Sequence, residues 1–131
     1  MIGLDTNVIV RYIAQDDAVQ SAKATLLIES LSAENQGFIT IISIVELVWV
    51  MQGCYKATKD ECIAILQTLI HTREILLENA EVVVLATRQY SSSSTDFADC
   101  IIERCANYAK CTCTMTFDSK AAKTAGMQLI Q

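Results

Sequence analysis

Short apolar runs, each followed within a few residues by a helical pattern, recur from one end of this 131-residue chain to the other. Strands separated by helices pair in parallel, because a parallel partner can be reached only by a crossover connection. Parallel sheets must be covered on both faces, so the alternation predicts an α/β fold. The expected architecture is a three-layer α/β/α sandwich around a central parallel sheet of about four to five short strands.

Ile2–Leu4 reads as the first strand, ending at Asp5-Thr6-Asn7, and Val8, Ile9, Tyr12 and Ile13 then recur at helical spacing. Asp16-Asp17 opens a second helix, expected to run to about Asn35–Gly37, with Gly37 as its stop before a strand at Phe38–Thr40. Ser43 is placed to cap a helix through about Gly53, with Glu46 three residues on as in a capping box. Thr58 starts a helix through about His71, and a strand follows at Ile75–Leu77. A helix from about Asn79 to Tyr90 precedes the run Ser91–Thr95, then come a helix from about Asp96 to Ala109 and a strand at Thr112–Thr116. A short helix from Asp118 to about Ala125 and a strand at Gln128–Ile130 complete the chain. There is no proline, internal repeat or linker, so a single domain over residues 1–131 is expected.

The composition is 52% hydrophobic and 19% charged, that of a globular chain with a sizeable core. The most apolar stretch, Phe38–Met51, is interrupted by Thr40, Ser43 and Glu46 and falls short of the ~18–20 residues a membrane span needs. Met1 leads directly into a strand without a basic leader, so a cytoplasmic location is expected, with no membrane association. Six cysteines occur at 54, 62, 100, 105, 111 and 113, without a CxxC pair and with only His71 as a histidine. That spacing argues against a zinc knuckle. Reduced thiols at mostly apolar positions are expected, with Cys111 and Cys113 the most open to oxidation.

The acids stand out most. Asp5 and Asp118 each follow a short strand and open a helix. Acids there can cap the helix, or can face the crevice beyond the carboxyl ends of parallel strands where α/β folds bind ligands. Glu46 is the single charged residue between Phe38 and Met51, which leaves two readings: a capping-box partner of Ser43, or an acid aimed into a metal-lined pocket. Asp96 and Asp99 lie three apart at the start of one helix, where Asp96 reads as an N-cap. Carboxylates gathered together repel unless cations lie between them. Hard cations such as Mg²⁺ take oxygen ligands and suit phosphodiester hydrolysis. The net charge of −5 runs against simple electrostatic binding of a polyphosphate, so cations and local bases would have to supply it. Arg11, Lys120 and Lys123 lie one to two turns from two of the acids and are candidate phosphate contacts, though solvated helix charges are the commoner role.

The segments Ile2-Gly3-Leu4-Asp5-Thr6-Asn7-Val8, Ile44-Val45-Glu46-Leu47-Val48-Trp49-Val50, Asp96-Phe97-Ala98-Asp99-Cys100-Ile101-Ile102 and Thr114-Met115-Thr116-Phe117-Asp118 together resemble a PIN domain. More narrowly, they resemble the VapC toxins of type II toxin–antitoxin modules. The resemblance implies a Mg²⁺- or Mn²⁺-dependent endoribonuclease whose acidic quartet is Asp5, Glu46, Asp99 and Asp118. Asp5 and Asp99 would be tied most directly to metal, with Glu46 and Asp118 completing the site and positioning water. Thr6, Asn7 and Thr116 match supporting polar positions, and Asp96 matches an extra acid of one subgroup. The resemblance further implies an RNA substrate, a cognate antitoxin partner and a homodimer. Two other readings stand beside it: a catalytically silent PIN-like binding module, and a phosphoryl-transfer domain using Asp5. The latter lacks a second acid among residues 3 to 7 and a lysine at the last strand end.

Overall fold

The computed structural model describes all of residues 1–131. The strands are β1 (Ile2–Gly3), β2 (Gly37–Ile39), β3 (Ile75–Leu77), β4 (Met115–Thr116) and β5 (Gln128–Leu129). The helices are α1 (Thr6–Ala14), α2 (Ala18–Glu29), α3 (Ile41–Cys54), α4 (Lys59–Ile70), α5 (Ala80–Ser92), α6 (Phe97–Tyr108) and α7 (Ser119–Thr124). All strand pairs are parallel, so the fold is α/β as the alternation predicts. The five strands form two sheets rather than the single one expected: β1-β2-β3, and β4 paired with β5. Apolar runs reveal strands, but partner choice depends on the crossovers between them. The chain divides into two compact units, Met1–Glu78 and Asn79–Gln131.

In the first unit, β2 is the middle strand, with Ile2 opposite Gly37 and Ile39 opposite Leu77. Helix α1 packs on α2 and α3, and α3 packs on α4. Ile9, Ile39, Ile44, Leu47 and Leu66 are fully buried. Two sequence expectations shift. Helix α2 ends at Glu29, not near Gly37, because Ser32 and Asn35 form a reciprocal backbone turn instead. The cap of α3 is Thr40, whose hydroxyl accepts from the Ser43 backbone, so Ser43 lies inside the helix and forms no capping box with Glu46. A complete capping box is present on α4, between Thr58 and Glu61.

Gly37 is required for packing rather than for ending a helix. A Cβ there would come within 2.7 Å of Leu4 Cδ1 and 2.8 Å of Leu31 Cδ1. The absent side chain lets Leu4 and Leu31 close over the middle strand.

In the second unit, α5 and α6 pack together, and Tyr90 meets Phe97 edge to face with ring centroids 5.4 Å apart. Ala121, Ala125 and Met127 form a small buried cluster beneath α7. Gly126 follows the helix with φ of 76°, the left-handed conformation that turns the chain into β5. No helix is long and apolar enough to cross a membrane.

Gly37→Ala is expected to lower unfolding stability by about 1–3 kcal/mol through overpacking, with the midpoint of urea denaturation moving down at unchanged slope.

Candidate active site

Asp5 lies just beyond β1, where the ladder continues through the Leu4 N–H to the Phe38 carbonyl, and it caps α1. Its Oδ1 accepts from the Thr6 backbone N–H at 2.7 Å. The buried Thr6 hydroxyl donates to Glu46 Oε1 at 2.7 Å, tying α3 to the start of α1. Asp5, Thr6, Asn7 and Glu46 line one pocket of about 430 Å³, with Arg11, Val50, Cys54 and Tyr55 among its other walls. Glu46 is exposed, not sunk in an apolar face. The turn of α3 that carries it presents Glu46, Val50 and Cys54 in succession to the pocket, while Leu47, Val48 and Met51 take the core side.

Arg11 is not a free cation. Its Nη1 pairs with Asp16 Oδ1 at 3.2 Å and its Nε donates to Gln20 at 2.8 Å. The Tyr55 hydroxyl donates to Asp16 Oδ2 at 2.7 Å. That bond holds the Asp16 carboxyl below its ordinary range and pushes the Tyr55 phenol up. The sequence reading missed Tyr55 and Cys54 at this pocket, and Asp16, which binds Tyr55 and Arg11. For Cys54 a signal existed in its spacing of two helical turns from Glu46; for Tyr55 and Asp16 there was none.

The second unit holds three of the predicted acids. Asp118 caps α7, its Oδ1 accepting from the backbones of Lys120 and Ala121 at 2.8 and 3.3 Å. Thr116, as a supporting residue, accepts from the Asp118 backbone N–H at 3.0 Å through its hydroxyl. Asp96 occupies the N-cap position of α6 but makes no side-chain cap bond, so the capping expected from sequence is absent and its carboxylate is left for other work. Asp99, in the first turn, is partly buried; burial raises its pKa, and the charges of Asp96 and Asp118 raise it further, with Lys120 opposing. These four groups therefore share one electrostatic neighbourhood. Lys120 and Lys123 are exposed on α7. Glu103, one turn beyond Asp99 and buried, pairs with Arg104 at 2.5 Å and was not singled out in the sequence.

The donors in both places are carboxylate, hydroxyl and amide oxygens, which suit a hard divalent cation and not a soft one. No three Asp, Glu, Cys or His side chains are gathered closely enough to cage an ion. Mg²⁺ keeps several waters and is commonly held through one or two carboxylates, so the donor chemistry fits an open, hydrated ion rather than a closed cage. His71 ends α4 and bonds the Gln67 carbonyl, outside either acidic group.

Only two of the six cysteines, Cys62 and Cys100, are buried; Cys54, Cys111 and Cys113 are exposed, against the expectation of mostly core thiols. The chain around 111–113 has little neighbouring structure to cover it. All six are free thiols, as expected.

Parallel strands with acids at their ends, and a carboxylate facing a pocket from the helix after the second strand, define a small α/β domain of the kind that binds ligands beyond its strand ends. The chain belongs to the PIN domain family, whose model matches residues 2–127. PIN domains are typically metal-dependent nucleases. No curated protein matches the chain significantly in sequence.

Thr6→Val should cost about 1 kcal/mol through loss of the bond to Glu46, read by denaturant unfolding. A second test concerns pH. The folded-state pKa of Asp99 is raised, so its protonated form stabilises the fold at low pH, and that contribution is lost as pH rises through the folded value. Asp99→Asn should therefore gain stability over the parent in metal-free buffer at about pH 7, with the difference vanishing near pH 3.

Proposed function

We propose that this PIN domain is a Mg²⁺- or Mn²⁺-dependent endoribonuclease acting as the toxin of a toxin–antitoxin pair. The observation that carries this reading is the match to the PIN domain model over residues 2–127, the stretch in which the sequence resemblance puts the acidic quartet at Asp5, Glu46, Asp99 and Asp118. The Asp5–Thr6–Glu46 linkage in one pocket adds to it.

When bound, the divalent cation activates water and neutralises phosphate charge. Asp5 and Glu46 in the first unit, and Asp99 in the second, are the carboxylates that would hold it, directly or through water. Asp118 would orient the attacking water, with its Oδ1 accepting from the backbone N–H groups of Lys120 and Ala121. Asp99, with its raised pKa, is the acid whose ionisation is most costly without a cation and therefore most coupled to metal binding. Asp96 adds negative charge beside it. Thr6 and Thr116 keep Glu46 and Asp118 in place, and Asn7 borders the pocket. Lys120 and Lys123 are better placed to meet flanking phosphates than Arg11, whose guanidinium is engaged by Asp16 and Gln20.

The partner is a small antitoxin, and the toxin works as a homodimer in the cytoplasm. An apolar cleft of about 360 Å³, bordered by Tyr12, Ile65 and Leu69, supports recognition by a protein segment.

Asp5→Asn and Asp99→Asn should each reduce cleavage of total RNA to background while circular dichroism stays parental; full activity in Asp5→Asn would overturn the assignment. Chelation should abolish cleavage and added Mg²⁺ or Mn²⁺ restore it. Calorimetry that detects no Mg²⁺ binding would favour the silent module.

A further inference from the structure

We propose that Lys23, Gln20 and Asn7 form a subsite for a backbone phosphate of RNA next to the one cleaved, an inference that rests on the nuclease reading of the pocket holding Asp5 and Glu46. Helices α1 and α2 enclose a recess of about 260 Å³, walled by Asn7 and Arg11 on one side and by Gln20 and Lys23 on the other. Asn7 and Arg11, one turn apart on α1, line the acidic pocket as well. Recess and pocket therefore adjoin across a shared wall. A polynucleotide bound over Asp5 and Glu46 carries further phosphates to either side of the scissile one, and the recess is placed to receive one of them.

The lining of the recess holds no carboxylate. Arg11 is matched in charge by Asp16, 3.2 Å from its Nη1, so Lys23 supplies the net positive charge. Lys23 is exposed and forms no ion pair. Three and four residues away on its own helix stand Val19, Gln20, Leu26 and Leu27, so it has no acidic neighbour at helical spacing. Gln20 Oε1 accepts from Arg11 Nε at 2.8 Å, which commits the oxygen and leaves the amide N–H groups to donate. Arg11 thus acts as a positioning residue for Gln20. Asn7, also exposed, adds a second carboxamide. Lysine and carboxamide donors gathered without an acid are a set that meets phosphate oxygens. A chain of net charge −5 repels a free anion overall, whereas an RNA held at the adjoining pocket brings its phosphates to the recess at high effective concentration.

The test measures binding of a fluorescein-labelled, single-stranded RNA of mixed sequence by anisotropy over a salt series with Mg²⁺ present. The full-length chain carries Asp5→Asn, so that the RNA stays uncut. Adding Lys23→Gln should weaken binding about three- to tenfold and flatten the slope of log affinity against log salt by about 0.7, the share of one phosphate contact on a single strand. Lys23→Arg should keep both at the level of the unsubstituted lysine. Arg73→Gln, which removes an exposed cation bordering neither cavity, should change neither. With Asp5 intact, Lys23→Gln should raise the concentration of total RNA needed for half-maximal cleavage and leave the maximal rate unchanged. Equal losses in Lys23→Gln and Arg73→Gln, or an RNA affinity that Lys23→Gln does not alter, overturn the subsite while cleavage by the parent, and with it the nuclease reading, stands. A parent that cuts no RNA, yet binds it through Lys23, defeats the nuclease reading and keeps Lys23 as a phosphate contact. Absence of RNA binding overturns the subsite.

Discussion

Each helix in this chain begins with backbone N–H groups that no helical carbonyl can reach. In a protein of short strands and many helices, meeting that demand shapes the segments between them. Asp5, Asp17, Thr40, Thr58 and Asp118 all answer it with a side-chain oxygen. Two of those caps are also candidate site acids. At Asp5 and Asp118 a single oxygen, Oδ1, serves the backbone, so capping and ligand binding are compatible in the same carboxylate. The helix dipole favours the charged form of an acid held there. The choice between cap and catalytic acid, which a sequence poses as an alternative, dissolves in the geometry.

Packing supplies the rigidity those acids need. Gly37 lets Leu4 close on the middle strand, and Leu4 immediately precedes Asp5. The next residue, Thr6, carries its hydroxyl to Glu46 forty positions away. A strand contact, a cap and a side-chain hydrogen bond therefore act in series to set the two carboxylates of the first unit. The bond to Glu46 is charge-assisted and its donor is buried, which makes it a stronger tether than an exposed pair. The Arg11–Asp16–Tyr55 group stiffens the other side of the same pocket, with the guanidinium spent on its neighbours.

Electrostatics distinguishes the second unit. Burial lifts the Asp99 pKa, the charges of Asp96 and Asp118 lift it further, and Lys120 opposes them. A protein with a net charge of −5 gains nothing for its fold from such crowding. Like charges gathered at a helix start are the arrangement that the proposed cation binding would relieve.

Much was legible in the residues themselves. Short apolar blocks separated by helical patterns pointed to the α/β class, because parallel neighbours need a crossover connection, usually a helix, between them. Ile75–Leu77 and the Thr58 cap emerged as predicted. The acids at 5, 46 and 118 stood out by their places in those patterns, whereas Asp99 was chosen over Asp96 by the family resemblance. Tertiary structure decided the rest. It moved the cap of α3 from Ser43 to Thr40, which removed the capping-box role of Glu46, since cap choice depends on where the preceding strand ends. It divided five strands into two sheets, since pairing depends on crossovers no local period records. It brought Thr6 to Glu46 and Tyr55 to Asp16, contacts across about forty residues that spacing along a chain does not encode. Sequence determined which side chains carry charge at strand ends; only the fold decided which oxygens remain free to use it.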